Sequence, residues 1–208
     1  MNLVYETKLG KLYHGDMTDM IFYLEPQSVD LVFTDPPYPK KYEGYFQSLA
    51  VDAPVLMKDG ASLFTLCGHY QLEFVIQTFA NFLKFRWILD LDQENDSHAR
   101  MAMGIEVCWK PLLWYVKNRF PKDRHYGFLK DKLISNAKEK DLHEWQQSIS
   151  WVMYLMEKVT KPGELVLDPF CGSGTFLEAA ERLGRRWIGI DIDKNAIDTT
   201  IERLSHVN

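Results

Sequence analysis

The sequence predicts an α/β fold, a doubly wound and mostly parallel sheet with helices on both faces. Three observations predict it. Short apolar runs alternate with helical patterns along the chain, an order that places crossover helices between parallel strands. Two of those runs end in an aspartate followed at once by a proline or glycine turn. At 208 residues and 46% hydrophobic, the chain can bury one substantial core and shows no sign of a second full domain, so one domain is expected over 1–208.

In chain order, the first strand-like run is 11–14, which leads into His14-Gly15-Asp16. The run 29–34 is apolar apart from Asp30 and Thr34 and ends at Asp35-Pro36-Pro37-Tyr38. A helical pattern at 45–57, a strand at 61–67 and a helix at 71–83 follow, each helix with apolar residues at three-and-four spacing. A strand at 86–91 enters the polar loop 92–104, which is too long and too polar to be a plain connection. Two apolar runs, 106–109 and 112–117, are separated by a break at Lys110-Pro111. After a basic stretch come a helix at 148–160, a strand at 165–168, a helix at 175–183, a strand at 186–190 and a helix at 195–204.

Two motifs carry chemistry. In Asp35-Pro36-Pro37-Tyr38 each prolyl ring removes an N–H and stiffens the turn, leaving a loop rich in acceptors beside an aromatic face. Such a loop suits a flat heterocycle bearing an amino group: the acceptors take its N–H donors and the ring stacks. The alternative is a rigid turn after a buried strand. In Asp168-Pro169-Phe170-Cys171-Gly172-Ser173-Gly174-Thr175 a strand passes through a glycine turn into a helix, where backbone N–H groups approach a ligand. A nicotinamide fingerprint needs a third glycine where Leu177 stands, so that cofactor is set aside. Asp191 ends the next strand near the distance at which a carboxylate takes a ribose diol. The combination suits an adenosine carrying something other than a pyrophosphate; the alternative is a tight strand-to-helix turn.

Together the motifs resemble those of the amino-methyltransferases of DNA, which methylate adenine at N6 or cytosine at N4 with S-adenosylmethionine. The order, catalytic element first and cofactor glycines last, is similar to the permuted beta-type branch. The resemblance implies a Rossmann-like S-adenosylmethionine-dependent methyltransferase fold, a seven-stranded sheet with an antiparallel edge hairpin for which the break at Lys110-Pro111 is the candidate. It implies Asp35, Pro36, Pro37 and Tyr38 as the catalytic loop. It also implies a cofactor site drawn from Asp16, Asp35, Asp168, Phe170, Cys171, Gly172, Gly174, Thr175, Asp191 and Ile192. The segment His143-Glu144-Trp145-Gln146-Gln147-Ser148 is similar to the family element that holds the methionine carboxylate; the family commonly has Lys-Pro where this chain has Gln147 and Ser148, so these two would bind by hydrogen bonds without a lysine charge.

The net charge of −5 is unfavourable for binding phosphates, but it is unevenly spread. Lys117, Arg119, Lys122, Arg124, Lys130 and Lys132 face only Asp123 and Asp131 between 117 and 132, with Phe120, Tyr126 and Phe128 interleaved. This suits a small DNA-recognition insert at about 117–142 in which Arg119, Lys122 and Arg124 meet phosphates; a solvated connector is the alternative. Lys40 and Lys41, with Tyr42 and Tyr45, form a second candidate, a lid over the strand being opened. Three widely spaced cysteines argue against a disulfide framework and a zinc site, and no metal is expected. Cys171 is expected to be a small apolar filler rather than a nucleophile. The N-terminus lacks a signal-peptide pattern and no run approaches membrane-spanning length, so a cytoplasmic enzyme is expected. DNA is the expected partner, with a second copy in a homodimer as a candidate because the insert is short. N6-adenine methylation is the first reading, since Asp rather than Ser opens the Pro-Pro-Tyr motif. N4-cytosine methylation, RNA amino-methylation and a catalytically silent DNA-binding module stay open.

Overall fold

The computed structural model describes residues 1–92, 99–101, 103–119, 128–134 and 149–207. In chain order its elements are β1 (Asn2–Glu6), β2 (Gly10–His14), α1 (Met20–Tyr23), β3 (Val29–Thr34), α2 (Glu43–Leu56), β4 (Met57–Leu66), α3 (Leu72–Ala80), β5 (Lys84–Asp92), β6 (Ala99–Arg100), β7 (Glu106–Val107), β8 (Trp109–Val116), β9 (Lys132–Ile134), α4 (Ser150–Val159), β10 (Leu165–Asp168), α5 (Thr175–Arg182), β11 (Arg186–Asp191) and α6 (Lys194–Ser205). Among the described residues nine strands form one sheet in the order β1-β2-β11-β10-β3-β4-β8-β5-β9, and β6 pairs with β7 apart from it.

The central strands pair in parallel: β2 with β11, β11 with β10, β10 with β3, and β3 with β4. Side-chain alternation along them feeds two cores. Leu31, Phe33 and Val166 join α4, α5 and α6 on one face, whereas Val32, Leu165 and Leu167 join α2 and α3 on the other. Close packing on the first face depends on glycine: a Cβ on Gly189 of β11 would stand 2.3 Å from Leu177 of α5. Asp30 pins the centre of the sheet. Its carboxylate accepts the Leu165 N–H of β10 at 2.9 Å and pairs with Lys58 of β4 at 2.8 Å.

The winding reverses between β10 and β3. From β3 the chain moves through α2 to β4 on one side; from β10 it moves through α5 to β11 on the other. Ligands in open α/β sheets bind at the carboxyl ends of the strands at such a reversal. Thr34, the last residue of β3, donates its hydroxyl to Asp168, the last residue of β10, at 2.8 Å, so the two strand ends are joined directly.

The sheet departs from the expectation in three places. β1 and β9 extend it at the two edges, giving nine strands where seven were expected. The break at Lys110-Pro111 is absent: β8 runs unbroken from Trp109 to Val116, and the Pro111 carbonyl accepts the Cys67 N–H at 3.3 Å. A proline removes one donor but keeps its acceptor, which is enough to stay in the ladder near a strand end. The antiparallel hairpin is therefore β5 with β8, and it lies inside the edge formed by β9.

Candidate active site

Asp35, Pro36, Pro37 and Tyr38 follow β3 directly, and Pro169, Phe170 and Gly172 follow β10, so strand adjacency alone brings the two motifs together. They share a cleft of about 370 Å³ lined by Asp35 and Pro37 from the first motif, Pro169, Phe170 and Gly172 from the second, Asp16 after β2, and Asp191, Ile192 and Asp193 at the end of β11. Tyr42 and Tyr45 close one side: their rings stack at 6.0 Å, and Tyr45 meets the Phe170 ring edge-on at 5.3 Å. The cleft is therefore acidic around an aromatic and aliphatic lining.

Backbone geometry explains the glycine turn. Gly172 adopts φ +51° and Gly174 φ +80°, the left-handed region where a side chain is strained. Their surroundings differ. A Cβ on Gly172 would meet nothing within 4 Å, while one on Gly174 would lie 2.8 Å from Thr200 of α6. Gly172 leaves room at the cleft, and Gly174 leaves room for a neighbouring helix. Asp191 holds this turn, its two carboxylate oxygens accepting the N–H groups of Gly172 and Asp193, each at 2.8 Å. A carboxylate has about four acceptor sites, so capacity remains for a diol.

Asp16 lines the cleft and caps the turn Met17–Asp19 by accepting the Thr18 N–H at 2.9 Å. Asp168 and Cys171 stand behind the wall. Asp168 is buried, accepts from Thr34 and from the Phe170 N–H at 3.1 Å, and burial drives its carboxyl well above the usual carboxylate range. Cys171 faces the core, and burial raises its thiol as well, which leaves it protonated and no nucleophile. Thr175 begins α5. Gln147 and Ser148 lie outside the described residues, as do Lys122 and Arg124.

Asp35 is half-buried, and burial raises its carboxyl above the usual range; a hydrogen bond from the Tyr38 hydroxyl and the charge of Lys110 act against that rise. Burial, more than the neighbouring carboxylate, raises the Tyr38 phenol. Lys110 Nζ lies 5.7 Å from the Tyr38 ring centroid. Sequence reasoning missed Lys110, treating it as part of a strand break; a lysine inside an apolar strand was the available signal. Cys67, at the end of β4, has its thiol pushed up to about 12 by burial and by Asp35.

The basic residues separate. Lys40 and Lys41 are exposed immediately after the catalytic turn, with Lys41 Nζ 4.7 Å from the Tyr42 ring centroid. Arg119 is exposed past the far end of β8. Because β8 runs antiparallel to β4, Lys110 is at the cleft end of the sheet and Arg119 at the opposite end, roughly 25 Å away for eight strand residues. Arg119 and the pair Lys40 and Lys41 therefore lie at opposite poles of the sheet. Among the described residues no cluster of His, Cys, Asp or Glu is arranged to hold a metal, and no helix is long and apolar enough to cross a membrane.

A family model described as DNA methylase, for N6 and N4 enzymes, matches residues 29–202. The type II methyltransferase M2.DpnII of Streptococcus pneumoniae is 26% identical over 247 aligned residues that cover 95% of this chain and 90% of that protein. The type II methyltransferase M.BamHI of Bacillus amyloliquefaciens is 25% identical over 89% of this chain, which spans only 55% of that protein. Among solved structures, M1.HpyAVI in complex with SAM superposes with a TM-score of 0.72 at 25% identity, covering 94% of this chain and 100% of that one. The cytosine-N4-specific PvuII DNA methyltransferase reaches a TM-score of 0.79 at 18% identity, covering 97% and 88%.

Proposed function

Because the chain belongs to the DNA amino-methylase family, whose cofactor is S-adenosylmethionine, we propose that it methylates the N6 amino group of adenine in DNA after extruding that base from the duplex. The observation that carries this reading is the shared cleft, where Asp35 and Pro37 face Phe170, Gly172 and Asp191 across the β3–β10 reversal. S-adenosylmethionine supplies a methyl group on a sulfonium, ready for attack by a nucleophile. The residues suited to hold it are Asp191 for the ribose hydroxyls, Asp16 and Ile192 for the adenine end, and Phe170 with Gly172 along its length.

The chain's own work is on the amine. Its lone pair is delocalised into the ring and nucleophilicity is low. The Asp35 carboxylate and the Pro36 carbonyl accept the two amino hydrogens, which draws the lone pair out of conjugation and offsets the positive charge that grows on nitrogen. In the free protein the Tyr38 hydroxyl takes one Asp35 oxygen; on base entry the amine N–H replaces it and the Tyr38 ring is released to stack. After attack, the surplus amine proton leaves through Asp35 or water. A duplex buries the target atom, hence extrusion.

The type II names of the relatives support a modification role beside a restriction enzyme. The preference for adenine over N4-cytosine rests on the opening residue of the motif, Asp35, and one assay separates the two. Purified protein incubated with unmethylated DNA and S-adenosylmethionine, followed by nucleoside digestion and mass spectrometry, is expected to yield N6-methyldeoxyadenosine. N4-methyldeoxycytidine in its place would overturn the base assignment and leave the transfer chemistry intact.

A further inference from the structure

A polar side chain behind the catalytic turn has no part in the chemistry above. Gln71 ends the 3-10 turn His69–Gln71 that leads from β4 into α3. It is 5% exposed, and neither its amide nitrogen nor its amide oxygen has a hydrogen-bond partner among the described residues. A buried amide in that state has lost its water without replacement, and native interiors contain few such groups.

Its position is specific. A Cβ on Gly68 would stand 3.4 Å from Gln71 Oε1, 3.7 Å from Tyr38 Cβ and 3.9 Å from Tyr38 Cγ. The amide oxygen of Gln71 and the root of the Tyr38 ring thus both border the space that a side chain at 68 would fill. The hydroxyl end of that ring is on Asp35, and Lys110 Nζ stands 5.7 Å from its centroid.

The Asp-Pro-Pro turn is short of donors. Asp35 as a carboxylate only accepts, and Pro36 and Pro37 have no N–H. An amino base presents, beside its amine, a ring nitrogen that accepts a hydrogen bond, and burying it unpaired would oppose binding. The geometry points to Gln71 as a base-recognition residue: when Tyr38 leaves Asp35 to stack on the extruded base, the Gln71 amide nitrogen donates to the ring nitrogen adjoining the amine. This rests on the adenine reading above, for which that atom is N1. It gives the idle amide a partner in the complex and explains why it is idle without one. Lys110 is the competing donor, and the test separates them.

The experiment compares wild type and Gln71→Met on oligonucleotides carrying the methylated site found by sequencing, with either adenine or 1-deazaadenine at the target. Wild type is expected to lose roughly tenfold or more in kcat/KM on 1-deazaadenine, and Gln71→Met to lose about as much on adenine and little further on 1-deazaadenine. Affinity for S-adenosylmethionine should be unchanged and Tm equal or higher, since methionine fills the space without an unpaired amide; a purely structural glutamine would instead lower Tm. Equal turnover of the two bases by wild type would mean that nothing donates to N1 and would overturn the assignment; independent losses in the variant that multiply would overturn it too and move the donor to Lys110. A wild type that methylates no adenine in DNA would remove the adenine reading and this inference together. A wild type active on adenine and indifferent to Gln71→Met would remove this inference alone.

Discussion

At the scale of single residues, Asp35 is held in tension between burial, which favours its neutral form, and the Tyr38 hydroxyl and Lys110, which favour its charge. With the folded pKa above the ordinary value of 3.8, the folded protein retains a proton that the unfolded chain has lost. Asp35 therefore costs no stability below that value, costs progressively more as pH rises through the window up to the folded pKa, and imposes its full cost at neutral pH. Asp35→Asn is expected to raise Tm at pH 7 and leave it unchanged well below pH 4, which thermal melts at the two pH values will check. Since the amine needs a carboxylate, the acid limb of the kcat/KM profile should lie above the ordinary carboxylate range and move higher in Tyr38→Phe, where the charge loses its donor; a limb that stays put would detach the hydroxyl from Asp35. The roles proposed for Asp35 and Asp191 were legible as motif positions. Lys110 was marked only as a lysine inside an apolar strand, and Gln71 not at all, because their relation to Tyr38 arises where the ends of β4 and β8 meet the catalytic turn, and no local spacing encodes that meeting.

At the scale of elements, the site exists because β10 and β3 are neighbours, 134 residues apart at Thr34 and Asp168. The alternation of elements made the parallel core legible, since the central strands β3 and β10 are buried along their whole length and mostly apolar. The edges were not. Most of β1 is exposed and only Leu133 of β9 is buried, so neither has the apolar pattern on which a strand assignment depends; backbone pairing holds them, helped by a few side chains such as Leu133 and Tyr5 on the core and the Glu6–Lys11 and Lys132–Asp92 ion pairs. Pro111 misled for the opposite reason, a breaker residue kept inside a strand by its carbonyl. The glycine turn gives a prediction that separates cofactor contact from packing. Gly174→Val forces a side chain into the left-handed region and onto Thr200, and should destabilise the fold by about 1–3 kcal/mol. Gly172→Ala meets open space, so it should cost about 1–2 kcal/mol of backbone strain while weakening S-adenosylmethionine binding in calorimetry. Unaltered affinity for Gly172→Ala would take that residue off the cofactor.

For the whole molecule, a net charge of −5 means that affinity for DNA must come from local patches. Lys40 and Lys41 lie beside the catalytic turn, and Arg119 lies at the opposite end of the sheet. Neutralising both lysines should flatten the plot of log affinity against log salt by roughly 0.9 in slope for each phosphate they no longer neutralise, and Arg119→Ala should leave the slope unchanged. A flatter slope for Arg119→Ala would mean that DNA wraps the sheet edge. The alignment with M2.DpnII runs over 247 residues, more than the 208 of this chain, so that relative carries residues this chain lacks; a short or loosely read recognition site is the physical expectation. The central claim, that the Asp35 loop activates an adenine amine in DNA, is tested most directly by sequencing modified bases in DNA from cells expressing wild type or Asp35→Ala. The account predicts N6-methyladenine in one short sequence context with wild type and none with Asp35→Ala at equal protein level. Methylated adenine persisting in Asp35→Ala, or no methylated base with wild type, would contradict it.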